Sequence, residues 1–236
     1  MSQSNKKYLV SGCGLSFGGQ ERKTWVNVLR TAGLNIADVG GPAVSNQWIL
    51  NKAITAVFEN NYDCVIIQLT SLGKLDVEVD PERIKELVEP DTVRNFTYQN
   101  IWPSSASLEH TSKQLWRQWL SSPGLEMEDL VCKLLLLDAY CRPRRIQLQV
   151  YQGYSIPWPD APRSMIADIV RTNTNLYDAY PKSDYYQYHD HSNSVPCLLY
   201  QFELAEQIAR DCCPEILDRV KKTRSQYETK IICKST

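Results

Sequence analysis

The chain has no long hydrophobic run. No stretch of its 236 residues approaches the ~20 apolar residues that cross a bilayer, and Leu134 to Leu137 amounts to one helical turn. A membrane is therefore not expected as a partner. Charge of one sign is equally absent: 26 Lys and Arg face 27 Asp and Glu, a formal net charge of −1. That balance does not suit a polyanion binder, so no nucleic acid is expected either. Histidine is scarce, at three residues, which makes each one worth locating. The eight cysteines include no C-x-x-C pair and are scattered along the chain, which argues against a disulfide scaffold or a thiolate metal site and predicts reduced thiols. Cys64 and Cys132 fall inside apolar periodic segments and read as small buried hydrophobes. The adjacent Cys212 and Cys213 are the one spacing that would admit redox chemistry. Residues Met1 to Lys7 are polar and lead into a strand rather than a signal-peptide apolar stretch, so a cytoplasmic location is expected. No cofactor is expected.

What is present alternates between two periods. Tyr8–Val10 is a short β-prone run closed by the glycine-rich Ser11-Gly12-Cys13-Gly14. Trp25, Val28, Leu29 and Ala32 then recur at helical spacing, with Gly33 as the stop. Leu34–Val39 reads as a second strand ending in Gly40-Gly41. Ser45 is placed to cap a helix whose apolar stripe is Ile49, Ala53, Ala56 and Val57. Asp63–Leu69 is continuously apolar at its centre, as a strand covered on both faces should be. Periodicity fails from Thr70 to Ser105, where Pro81 and Pro90 and mixed charge predict an irregular insertion with a short helix near Glu82–Val88. Helices are predicted over Ser107–Leu120 and Glu126–Cys141, a strand over Ile146–Val150 and a proline-rich loop over Ile156–Pro162. A closing helix carries Leu198, Phe202, Ala205 and Ala209 on one face. Strands alternating with helices require crossover connections and hence a parallel sheet. The expected fold is a three-layer α/β/α arrangement around four to five parallel strands. The whole chain, 1–236, is expected to be one domain with the irregular insertion at about 71–105.

In such a sheet the ligand site lies beyond the carboxyl ends of the strands, near the reversal of strand order. Those ends carry Ser11–Gly18, Gly40–Asn46 and Gln68–Lys74, loops rich in small and polar residues. Gly12, Gly14, Gly18 and Gly19 depart from the G-x-G-x-x-G spacing of a dinucleotide site. Tyr151, Tyr154, Trp158, Tyr185, Tyr186 and Tyr188 could stack on sugars or stand as ordinary half-buried surface.

Gly12-Cys13-Gly14-Leu15-Ser16-Phe17-Gly18 resembles the first block of the SGNH (GDSL-type) hydrolases, in the G-C-S-F-T form common among bacterial surface-polysaccharide gene sets. Gly40-Gly41 with Ser45-Asn46 resembles the second block, and Ile66–Thr70 the third strand of that branch. His189-Asp190-His191-Ser192-Asn193, ahead of Leu204–Ile208, stands where the family places its catalytic histidine. The resemblance covers residues 8–70 and, more thinly, 184–209. It implies a flavodoxin-like strand order, acyl-ester chemistry and a small-molecule or carbohydrate substrate. Departures accompany it: the family's nucleophilic serine falls on Gly14, no asparagine stands in the third block, and tyrosines hold the place of its acid.

A serine nucleophile needs a histidine base and donors for the oxyanion. Ser16 with His191 can supply the first two, with Asp190 or Asp184 orienting the ring; Gly14, Gly41, Asn46 and Gln68 are candidates for the oxyanion site. The plainer reading of Ser16, as the cap of a turn after the strand, stands ahead of the nucleophile. Cys13 is the alternative nucleophile, or a packing residue. His189 and His191 flank Asp190, so both rings point to one side of an extended segment, for acid–base work or as half of a metal site. Two functions follow: an SGNH-like ester hydrolase or acyltransferase acting on an acylated substrate, or a catalytically silent domain of the same kind that binds a glycan or a partner protein. A phosphate or nucleotide binder using the first loop is the third.

Overall fold

The computed structural model describes residues 6–13, 16, 24–41, 44–70, 72, 75–78, 98–101, 123–153, 156–175 and 195–232. Its strands are β1 (Lys7–Ser11), β2 (Asn35–Asp38), β3 (Cys64–Leu69), β4 (Leu75–Glu78), β5 (Tyr98–Ile101), β6 (Gln147–Gln152) and β7 (Val170–Asn175). Its helices are α1 (Trp25–Thr31), α2 (Asn46–Glu59), α3 (Pro123–Cys141), α4 (Asp160–Ile166), α5 (Val195–Cys212) and α6 (Leu217–Ile232). Five strands form one parallel sheet in the order β2-β1-β3-β6-β7. This is the expected α/β fold, with the 2-1-3-4-5 strand order whose reversal point falls between its first and third strands. β1 and β3 are neighbours, Leu9 opposite Val65 and Val10 opposite Ile66.

Alternation along the strands sorts the core into two layers, since successive side chains point to opposite faces. Tyr8, Val10, Cys64, Ile66 and Tyr151 pack beneath α1, α5 and α6, against Trp25, Leu29, Phe202, Ile208 and Val220. Leu9, Val65, Ile67, Leu69 and Val150 pack beneath α2, α3 and α4, against Ile49, Leu50, Leu130, Leu134 and Ile166. All six residues of β3 are buried, as its unbroken apolar run requires.

The helix ends follow the local chemistry. Ser45 caps α2 by accepting the Trp48 N–H at 3.1 Å, as its position predicts. Gly33 ends α1 with φ of +100°, and Arg219 Nη1 of α6 lies 2.8 Å from where a β-carbon there would sit. Any other residue at Gly33 would meet a backbone penalty, while the guanidinium of Arg219, at the end of a flexible side chain, would only have to shift.

Several expectations need correcting. Leu75–Glu78 and Tyr98–Ile101 lie inside the stretch read as irregular, yet pair as an antiparallel ribbon. Asp160–Ile166 is a helix where a proline-rich loop was expected, because prolines are tolerated up to its first turn. β7 is a parallel edge strand of mostly polar sequence, VRTNTN, with an irregular step against β6. The chain also continues past α5 into α6, whose sequence is too polar to show a broad apolar stripe. Arg224 helps hold α6 in place, reaching Glu203 at 3.6 Å, Glu206 at 3.3 Å and Glu228 at 2.9 Å. Cys64 is buried as predicted, whereas Cys132 is exposed. The predicted helices at 82–88 and 107–120 lie outside the described residues. Among the described residues, no helix is long and apolar enough to cross a membrane.

Candidate functional site at the strand ends

The parallel register brings the loops after β1, β2 and β3 to one edge of the sheet. β1 runs into Gly12 and Cys13, and the chain turns at once: Ser16 donates both its N–H and its Oγ–H to the Cys13 carbonyl, each at 2.8 Å. Ser16 has no solvent exposure. Gly12 is what admits it, since a β-carbon there would sit 2.3 Å from Ser16 Oγ and 2.9 Å from Gln68 Cβ. The second loop is tied to the first through the Gly41 N–H, which donates to the Gly12 carbonyl at 3.0 Å.

Gln68, at the end of β3, is fully buried. Its Nε2 donates to Cys13 Sγ at 3.1 Å, while its Oε1 accepts the indole N–H of Trp25 at 3.4 Å. The indole has only a donor to offer, so it fixes which end of the amide faces the thiol. Trp25 is anchored in turn by its backbone N–H, which donates to Gln201 Oε1 on α5 at 2.8 Å. A continuous polar line thus joins α5, α1, β3 and the first loop through an otherwise apolar layer.

Asn46, at the start of α2, is buried and paired twice with Thr70, just past β3. Its Nδ2 donates to the Thr70 carbonyl at 3.0 Å and its Oδ1 accepts the Thr70 N–H at 2.7 Å. The amide side chain acts as one more backbone rung, closing the second and third loops together. Ser11 Oγ donates to the Ile49 carbonyl at 2.8 Å, joining β1 to α2.

Asp38, at the end of β2, is the one carboxylate among the described residues of this neighbourhood, and sequence reasoning missed it. Its side chain is only 6% exposed and stands 3.9 Å from Arg30. Burial pushes its carboxyl above the usual range, against the Gly40 N–H that donates to Oδ1 at 2.9 Å and the charge of Arg30.

Of the sequence-predicted residues, Cys13, Ser16, Gly41, Asn46 and Gln68 gather here. Gly14, His189, Asp190 and His191 lie outside the described residues, as do Asp184, Tyr154 and the tyrosines near 186. Tyr151 is a core residue rather than a wall for sugars: it is buried and donates its hydroxyl to Asp211 Oδ2 at 2.9 Å. Trp158 is spent on Gln152 Oε1, at 2.9 Å, organising the turn after β6. Cys212 and Cys213 are both buried, and burial holds the Cys213 thiol up at about 12, where little thiolate forms. Among the described residues no group of His, Cys, Asp or Glu could hold a metal ion. Trp25 and Gln201 were also missed. Their signal was a glutamine at 201 interrupting the apolar face that Leu198, Phe202 and Ala205 share.

No family model matches the chain, and no curated protein does. Solved structures similar to it include TesA, at 13% identity, with 89% of this chain and 99% of that one covered and a TM-score of 0.45. The esterase EstA from Pseudoalteromonas sp. is similar at 13% identity, covering 95% and 100%, with a TM-score of 0.43. A lipolytic protein of the G-D-S-L family from Desulfitobacterium hafniense DCB-2 gives 12%, 70% and 67%, and 0.34.

Proposed function

We propose that the chain is an SGNH-like ester hydrolase or acyltransferase acting on an acylated substrate of carbohydrate type. The observation that carries this reading is the seat of Ser16 Oγ, directly over the side-chain-free Gly12 at the β1–β3 crevice. That is where an open parallel sheet presents its chemistry. In the proposed mechanism the substrate's acyl group displaces the bond from Ser16 to the Cys13 carbonyl, and the freed Oγ attacks the acyl carbonyl. His191 takes the proton and returns it to the alcohol that departs as the ester C–O bond breaks. Water, or an acceptor hydroxyl in the transferase case, then gives its proton to His191, attacks the acyl-serine and restores Ser16. Asp190 or Asp184 orients the imidazole, and His189 is the alternative base. Gly14, Gly41, Asn46 and Gln68 supply donors to the oxyanion. Of these, Gly41, Asn46 and Gln68 each trade an existing hydrogen bond for the new one. Cys13 is the alternative nucleophile.

A second reading, a silent domain of the same kind that binds a glycan or a partner protein, is favoured by a different observation. Ser16 is wholly buried with its hydroxyl committed, and the known donors around it are already in use. Release of p-nitrophenol from short-chain esters separates the two. Loss of at least about 100-fold in both Ser16→Ala and His191→Ala supports the enzyme. Loss in Cys13→Ala alone moves the nucleophile to the thiol. A wild-type rate equal to that of all three variants leaves the binding domain.

A further inference from the structure

Helix α3 buries Met127, Leu130, Val131, Leu134, Leu137 and Cys141 along one side. At 100° per residue, the opposite side carries Leu125, Cys132, Leu136 and Ala139, all exposed. A solvent-facing helix side is normally polar, yet here Leu125 is 66% and Leu136 51% exposed. Phe58 of α2, 59% exposed, extends the patch by lying against Tyr140 with ring centroids 4.3 Å apart. The charges around this stripe are sorted along the helix. Glu128 beside the Asp129–Lys133 ion pair leaves its amino-terminal half negative, whereas Arg144 and Arg145, exposed beyond the Asp138–Arg142 ion pair, leave its carboxyl end positive. Read in the opposite direction, the stripe therefore presents the complementary sequence of charges.

We propose that this face of α3 is the contact surface of a homodimer, pairing with α3 of a second copy in antiparallel orientation about a two-fold axis near Leu134. Such an interface is self-complementary. Residues whose numbers sum to 268 then stand opposite one another, so Cys132 of each copy packs on Leu136 of the other. Glu128 falls beside the other copy's Arg142 and Arg144, and Leu125 meets the turn at Pro143. The opposed helix dipoles agree with the same direction. The Cys132 of the two copies are offset by four residues along the axis, about 6 Å at 1.5 Å per residue, within reach of a short bis-maleimide.

Sedimentation of the full chain across a concentration series should show a monomer–dimer equilibrium. Leu136→Asp should weaken it by at least about 30-fold, the effect of a truncated central contact, while circular dichroism and melting stay those of the wild type. The charge reversal Glu128→Arg should weaken it too, and Arg142→Glu with Arg144→Glu added to that variant should restore it. Bis-maleimide should trap a dimer in the wild type and not in Cys132→Ser. A chain that stays monomeric at every concentration overturns the proposal. So does a dimer indifferent to Leu136→Asp, or one trapped equally well without Cys132.

Discussion

Asn46 offers the sharpest test of how the strand-end loops are held. Its amide exchanges two hydrogen bonds with Thr70 in a site closed to water. Each is worth about 0.5–1.5 kcal/mol net, and more when a buried partner is left behind. Asn46→Ala removes both and should cost about 2–3 kcal/mol, a fall in Tm of about 4–12 °C for a chain of this size. Asn46→Asp is more telling because it changes one atom. The new carboxyl keeps an oxygen to accept the Thr70 N–H, but when ionised it turns its second oxygen on the Thr70 carbonyl. When protonated it donates there, as the amide did. Burial and the facing carbonyl both favour the neutral form, so the folded pKa of the new group lies above its unfolded value of about 3.9. A group raised on folding binds more protons in the native state. Its variant is therefore closest to wild type below the unfolded pKa and loses stability as pH rises through the folded one. Urea denaturation of wild type, Asn46→Ala and Asn46→Asp from acid to neutral pH measures this. The deficit of Asn46→Asp should approach that of Asn46→Ala near neutrality and shrink in acid, while that of Asn46→Ala stays flat. A deficit in Asn46→Asp that does not change with pH would refute the paired arrangement.

Gly12→Ala should destabilise the fold, since the new β-carbon meets Ser16 Oγ at 2.3 Å and Gln68 Cβ at 2.9 Å. In a Ser16→Ala background the cost should fall but not vanish, and a double-mutant cycle on urea midpoints reads the coupling, of about 0.5–3 kcal/mol for residues in contact. Asp38→Asn keeps an oxygen for the Gly40 N–H and relieves the burial of a charge. Because the carboxyl of Asp38 is raised on folding, the wild type loses stability as pH climbs through that raised value. The variant should match or exceed wild type at neutral pH, with its advantage disappearing in acid. An advantage that grows in acid would contradict the buried, raised carboxyl.

Much of this arrangement was legible in the sequence, and the reasons differ from element to element. Asp63–Leu69 announced a doubly covered strand because six consecutive buried positions leave no room for polar alternation. Ser45 and Gly33 announced helix ends because capping and positive φ are local chemistry, decided by one residue each. α6 was not legible. Val220 is its one fully buried residue among those described, and its anchorage lies in ion pairs between Arg224 and glutamates partly on another helix. β7 was missed because an edge strand can be polar. At the site, the gathering of Cys13, Ser16, Gly41, Asn46 and Gln68 followed from the strand order. What each side chain does there could not be read ahead. Whether Asn46 faces a ligand or Thr70 depends on the spacing between α2 and β3, which no local pattern encodes. The exposure of Cys132 was misread for a similar reason. Apolar residues on α3 occupy both sides of the helix, and composition cannot tell which side the sheet takes.

The two faces of the sheet are roofed by very different parts of the chain. One is covered by α2, α3 and α4, all of which precede α5 and α6 in the chain. The other depends on α1 together with α5 and α6, residues 195–232. During synthesis from the amino terminus, Tyr8, Val10, Cys64 and Ile66 are made early, together with α1, whereas the share of their cover that α5 and α6 supply comes much later. A ribosome-bound chain can close the α2–α3 side while the opposite side of β1 and β3 still faces water. That interval is when a nascent α/β chain is most exposed to wrong association. For this protein it ends only when α5 and α6, residues 195–232, have left the exit tunnel.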